Sequence, residues 1–182
     1  MKSKSLWKFG TREVVYAAIG AALYAVLTLA TNALQIPSAG NVSFRPAVVI
    51  PMFFGVAFGP IVGFISGFLG NIISDQIAGY GFWIWWDLGN GIMGLIPGLI
   101  ANTIVSYKAM NSIIKAEIFA AIGVLVGMAV ASISEMWVSG ADFNTVVVGN
   151  FVPSIIPNLI NGLILLPLLM IAYDAVVSRS GR

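Results

Sequence analysis

Apolar residues in this chain come in long unbroken runs, not in the three-to-four spacing of a helix that faces water on one side. Six such runs stand out, at 12–34, 45–59, 60–78, 83–105, 116–137 and 150–173. Short connections separate most of them: an uncharged one with a Pro and a Gly at 35–44, one with Lys108 and Lys115, and one with Gly140 and Asp142, while Gly59-Pro60 alone divides the second run from the third. About 20 apolar residues suffice for a helix to cross the hydrocarbon core, so the pattern predicts an all-α integral membrane protein of six transmembrane helices. Nothing between the runs is long enough for a soluble domain, and residues 1–182 are expected to form one transmembrane domain. Runs two and three are short for spans, and a re-entrant hairpin is the alternative for them. Pro46 and Pro60 each suit the first turn of a helix, where the missing N–H has no partner to lose.

Composition agrees with the pattern. The chain is 59% hydrophobic and 9% charged, too little charge to cover a soluble fold of this size. The basic start, Met1-Lys-Ser-Lys-Ser-Leu-Trp-Lys8, precedes an apolar run of over 20 residues without a small-residue cleavage site, so a retained helix is expected. Cys and His are both absent, which removes disulfides, thiolate nucleophiles, Cys/His zinc sites and imidazole catalysis. No G-x-x-x-x-G-K-[ST] string occurs, so the chain lacks a P-loop for ATP. Gly63-Phe-Ile-Ser-Gly67 has the wrong spacing for a serine-hydrolase elbow. Asp75, Asp87 and Glu135 have no accompanying nucleophile, and neither an enzyme nor a metal or cofactor site is expected.

Charge fixes an expected orientation. With six spans both termini share a side. Lys2, Lys4, Lys8, Arg12, Lys108, Lys115, Arg179 and Arg182 all fall there, while Arg45 alone falls opposite. By the positive-inside rule the termini are cytoplasmic.

The richest stretch is 82–94, Phe-Trp-Ile-Trp-Trp-Asp-Leu-Gly-Asn-Gly-Ile-Met-Gly. Helical spacing puts Trp83, Trp86, Asp87, Asn90 and Gly94 on one face. A carboxylate within an apolar helix needs a partner or a wet cavity, which marks Asp87 as a functional candidate. Aromatic faces beside a carboxylate and an amide suit a small ring carrying N–H donors. In the expected topology Arg45, Asp75, Glu135, Asn150 and Asn158 lie in the outer half with this stretch, while the inner halves are almost wholly apolar. Polar groups that stop halfway describe a cup open to the outside with a sealed floor, not a channel. The connector 35–44 is its expected lid. Three carboxylates against Arg45 favour a neutral or weakly cationic ligand over an anionic one.

Several strings give the chain a family likeness along nearly its whole length. They are Ala17-Ala-Ile-Gly-Ala21-Ala, Phe58-Gly-Pro-Ile-Val-Gly-Phe64, Gly67-Phe-Leu-Gly-Asn-Ile-Ile-Ser-Asp75 and Trp86-Asp-Leu-Gly-Asn-Gly-Ile-Met-Gly-Leu95. With them the chain resembles the substrate-specific S component of an energy-coupling factor (ECF) vitamin importer, in the riboflavin-type branch that also includes hydroxymethylpyrimidine components. The resemblance implies partners: a coupling membrane protein (the T component) and two ATP-binding cassette ATPases. It implies docking of the coupling protein on an A-x-x-x-A surface of the first helix, matched by Ala17, Ala21 and Ala25. It also implies a ligand held between the first loop and helices four to six, which carries to Trp83, Trp86, Asp87, Asn90, Glu135, Asn150, Asn158 and Asn161. Joined to the charge argument, it ranks hydroxymethylpyrimidine or a thiamine-like compound first, riboflavin second, and pyridoxine as a further neutral ring. The competing reading from another class is a membrane scaffold whose outer polar residues only satisfy one another.

Overall fold

The computed structural model describes residues 5–31 and 45–179. The expected lid at 35–44, the end of the first run at 32–34, and Lys2, Lys4 and Arg182 lie outside the described residues. Within them every regular element is a helix, and no strand occurs. The helices are α1 (Thr11–Thr31), α2 (Val49–Phe58), α3 (Pro60–Ala78), α4 (Ile84–Gly98), α5 (Met110–Val138) and α6 (Val152–Arg179). Four helical segments are long and apolar enough to cross a membrane: α1, α3, α5, and α6 with the wide turn before it. With its opening 3-10 turn α2 covers Pro46–Phe58, roughly 20 Å at 1.5 Å per residue, short of the core thickness.

The third run folds as its pattern predicts; the others differ at their ends. The fourth stops at Gly98, not at 105. Pro97 lacks an N–H, and Leu99 and Ile100 turn back with i−3 bonds to Ile96 and Pro97. Polar Asn102 and Thr103 then occupy a separate 3-10 turn. The fifth helix starts six residues earlier than 116, because Met110 to Lys115 contains no helix breaker. The sixth run reaches Arg179, and the helical path into it begins with a wide π turn at Thr145–Phe151. Asp142 stands just before this path and accepts the Thr145 N–H at 2.7 Å, a bond that holds its carboxyl below the usual range.

What brings these helices together is the absence of side chains. α4 is sandwiched between α2, α3 and α5, and glycine lines each contact. A Cβ on Gly94 would strike the backbone of Gly63 in α3, and one on Gly63 would strike the backbone of Gly94. Gly55 of α2 meets the same carbonyl of Gly94. Gly67 sits on the backbone of Asn90, and Gly89 and Gly127 cross α4 against α5. Small residues let helices approach to backbone contact, the packing by which apolar helices associate where lipid supplies no hydrophobic drive. α1 joins through its own small face: Ala17, Ala21 and Ala25 are buried, and Gly70 of α3 packs on the Ala21 carbonyl and the Tyr24 ring.

α6 is attached differently. At its foot Asp174 accepts from Ser106 Oγ (3.0 Å) and the Tyr107 N–H (2.9 Å) and pairs with Lys108 (3.3 Å). The Tyr173 ring packs edge-on against Phe53, Phe58 and Tyr107.

Gly94→Ala therefore forces backbone apart and should cost about 1–3 kcal/mol. Gly149→Ala, whose new Cβ would find only Thr145 Cγ2 at 3.7 Å, should stay within about 0.5 kcal/mol. Thermal unfolding in detergent, followed by tryptophan fluorescence, checks the pair; equal losses would contradict the packing account.

Candidate functional site

Polar side chains from α1, α3, α4, α5 and the residue before α2 form a polar network around α4, whose two hydrogen-bonded parts meet at the Tyr24 hydroxyl. Its centre is Asn71, 1% exposed on α3. The Asn71 amide nitrogen donates to Asp75 Oδ2 and to Asp87 Oδ1, both at 2.8 Å. One NH2 group has two hydrogens, so a single side chain serves two carboxyl groups and its own donors are spent. The Asn71 oxygen faces the other way, with Arg45 Nη1 at 3.4 Å and the Tyr24 hydroxyl at 3.5 Å.

Tyr24 carries the network to the next residue. Its hydroxyl donates to Asn90 Oδ1 at 2.8 Å, which commits its one proton there and leaves the longer approach to Asn71 as a contact. Asn90 Nδ2 in turn donates to the Trp86 carbonyl at 2.8 Å. The Trp86 indole N–H donates to Glu135 Oε1 at 2.8 Å, and Ser139 Oγ donates to Glu135 Oε2 at 2.7 Å. The chain of bonds thus runs from α1 to the C-terminal end of α5.

Six of the ten expected ligand-site residues meet here: Arg45, Asp75, Trp86, Asp87, Asn90 and Glu135. The other four do not join. Trp83 precedes α4 in a non-helical conformation (φ −127°, ψ 74°) and is exposed, its indole donating to the Tyr80 carbonyl at 2.8 Å. The expected single face of 83–94 is corrected accordingly. Trp83 is out of helical register, and Trp86 and Asp87, adjacent and so 100° apart, turn to α5 and α3 respectively. Asn158 is buried beside Met93 of α4, with Nδ2 3.8 Å from the sulfur. Asn161 is buried and donates to the Pro157 carbonyl of its own helix at 2.8 Å. Asn150 lies half-buried on the wide turn.

Two network members went unpicked as site residues in the sequence. Asn71 stands four residues before Asp75, the spacing of a helical side-chain pair. Tyr24 is the phenol deeper inside the Ala/Leu-rich first run, on the face of Ala17, Ala21 and Thr28. Both signals were present.

The network is not closed. Asp87 is fully buried, and its Oδ2 has no hydrogen-bond partner among the described residues. A buried acceptor left over in this way is costly, and it is the natural seat for a donor brought by something else. Among the described residues no three His, Cys, Asp or Glu side chains cluster as metal ligands do.

The docking surface expected on α1 also needs correction. Ala17, Ala21 and Ala25 are each 2–3% exposed and form the seam with the bundle. Ala18 and Ala22, each one residue on from a buried alanine, are exposed on the outer face of α1.

An all-helical integral membrane protein with a buried polar network, and with spans held together by glycine, is the class that fold and site define. Residues 8–175 match the family described as "ECF-type riboflavin transporter, S component", and the chain belongs to this family. Among its relatives, a UPF0397 protein of Streptococcus gordonii is 30% identical over 95% of this chain and 93% of its own length. A UPF0397 protein of Vibrio atlanticus is 44% identical over 50% of this chain, and one of Aliivibrio fischeri 46% identical over 48%. These last two matches cover 49% and 47% of the relatives' lengths, so the chain spans about half of each.

Asn71→Ala strips the donor from two buried carboxyl groups and should cost about 1–3 kcal/mol for each acceptor left unpaired. Tyr24→Phe unpairs only Asn90 Oδ1 and should cost about half as much. Denaturation of the two variants in one detergent gives the order; a larger loss in Tyr24→Phe would contradict Asn71 as the centre.

Proposed function

We propose that the chain is the substrate-binding S component of an ECF-type importer for a small water-soluble vitamin or precursor, acting as one transmembrane domain. Membership of the S-component family supports the class. The orientation proposed has both termini in the cytoplasm. Lys8, Arg12, Lys108, Lys115 and Arg179 lie at or beyond one set of helix ends, while Arg45 precedes α2 at the other.

The observation that carries the ligand reading is the unpartnered Oδ2 of buried Asp87, one residue from Trp86. A flat ring with an exocyclic amine offers an N–H to that oxygen and a face to an indole. Hydroxymethylpyrimidine or a thiamine-like compound is the first choice on this chemistry. Riboflavin, the vitamin in the family's name, has an imide N–H for the same acceptor and comes second; pyridoxine is a further neutral ring. Trp83, Asn150, Asn158 and Asn161 remain proposed ligand contacts, from the outer rim and the α6 side. The scaffold reading draws on the same network, which satisfies most of its own members, but it leaves Asp87 Oδ2 without a purpose.

Energy for uptake comes from partners: a coupling T component and two ABC-type ATPases. The coupling protein is proposed to dock on the outer face of α1, where Ala18 and Ala22 keep the surface low enough for close helix approach.

Two experiments test the assignment. Titration of the purified protein with hydroxymethylpyrimidine, thiamine, riboflavin, pyridoxine, pantothenate and folate should quench tryptophan fluorescence at sub-micromolar concentration for a neutral or cationic ring. Asp87→Asn should then weaken binding by about 1.5–3 kcal/mol, roughly ten- to a hundredfold in Kd. Tight binding of an anionic vitamin that survives Asp87→Asn would sink the ranking, and silence across the panel would favour the scaffold. Bulk on the outer face, Ala18→Leu with Ala22→Leu, should leave binding intact and abolish ATP-dependent uptake in the assembled transporter. Ala21→Leu, in the buried seam, should instead lower stability.

A further inference from the structure

A second polar site lies far from the network, at the basic end of the bundle. A cavity of about 160 Å3 opens between the start of α1, the α2–α3 corner and the turn after α4. Ser5, Lys8, Arg12, Glu13, Gly59 and Asn102 are among its lining. Gly59 makes the corner (φ 107°), and the Leu6 carbonyl sits 3.4 Å from where its Cβ would be. The segment before α1 is therefore folded back over the corner and walls the cavity.

Charge in the cavity is biased and unspent. Arg12 uses Nε on the Tyr16 hydroxyl at 2.9 Å, with the guanidinium 5.2 Å from the centre of that ring. This holds the head group in place and leaves four of its five N–H donors. Neither Lys8 nor Arg12 has a carboxylate within ion-pair distance among the described residues, where the ion pair formed is Lys108 with Asp174. Glu13 accepts the Gly10 N–H at 2.9 Å, which occupies one of its oxygens. Two cations against one carboxylate leave the lining net positive.

The flanks of Lys8 identify what the cavity faces. Trp7 and Phe9 are 55% and 44% exposed, immediately before the apolar span of α1. Exposed aromatic rings on either side of a lysine, at the end of a transmembrane helix, are seated at the boundary of headgroups and acyl chains. Basic pockets between helices at that depth suit phosphate-bearing headgroups.

We propose that this cavity binds the headgroup phosphate of an anionic phospholipid, held by Lys8 and the free donors of Arg12, with Trp7 and Phe9 against its acyl chains. The site is independent of the vitamin site and does not rest on the transport reading. Native mass spectrometry of the full chain in detergent, with phosphatidylglycerol and phosphatidylcholine of identical acyl chains, tests it. Phosphatidylglycerol should be retained severalfold more. Lys8→Glu, which leaves the Arg12–Tyr16 bond in place, should bring it down to the phosphatidylcholine level, as should Lys8→Glu with Arg12→Gln. Lys115→Gln, a basic residue outside the cavity, should change nothing. Equal retention of the two lipids, unchanged retention in Lys8→Glu, or an equal loss in Lys115→Gln would overturn the proposal. So would displacement of the lipid by millimolar inorganic phosphate, which would mark a free-anion site. Lipid binding untouched by Lys8→Glu, with assembly onto the coupling protein lost, would reassign the cavity to a protein contact.

Discussion

Backbone-to-backbone contact around α4 is the constraint on which this molecule depends. A helix of fifteen residues, Ile84–Gly98, is too short to hold its place by spanning the bilayer. It is fixed by glycines on three neighbours, Gly55, Gly63 and Gly127, meeting its own Gly94 and Gly89. In lipid there is no hydrophobic gain in pressing apolar helices together, so the close fit supplies what burial supplies in water. That fit also seals Asp87 and Asn90 away from hydrocarbon. Buried polar groups in a membrane are tolerable when every neighbour is close enough to hydrogen-bond, and glycine sets that distance.

The network shows how two carboxyl groups share one interior. Asp75 and Asp87 come from different helices, and the two hydrogens of Asn71 divide between them. Arg45 approaches from the far side of the same amide at 3.4 Å. The arrangement is therefore layered, with cation, amide and then carboxyl groups. The formal count of three acids against one arginine overstated the isolation of each acid, because Glu135 is met separately by Trp86 and Ser139.

Much of this was legible in the sequence. The apolar runs gave the helices, and the third was bounded correctly because Gly59-Pro60 and Gly79 punctuate both ends. The fourth run misled because hydropathy continues through Leu99 and Ile100 while the backbone turns at Pro97-Gly98; composition reports solvent, and punctuation reports geometry. Of the candidate site, Asp87, Asn90, Trp86 and Glu135 were found because polar residues in apolar helices are conspicuous. Their directions were less legible. A periodic wheel treats Trp83 as helical, but the helix begins one residue later. The alanine stripe shows the same limit: Ala17-Ala18 and Ala21-Ala22 are adjacent pairs, and sequence alone does not say which member of each faces in.

The attachment of α6 has a mechanical meaning. Asp174, at the foot of α6, bonds to Ser106, Tyr107 and Lys108 of the turn between α4 and α5, while higher up Asn158 makes a weak contact with the Met93 sulfur. The bonds linking α1, α3, α4 and α5 do not pass through α6. Its upper half, entered by a wide turn and carrying Pro157 within the helix, rests on its neighbours by packing. The foot is tied by polar bonds, and the rest of the helix by shape. A change in how the upper half of α6 packs would therefore leave every hydrogen bond of the network in place, so the packing of this wall and the bonding of the network are separable.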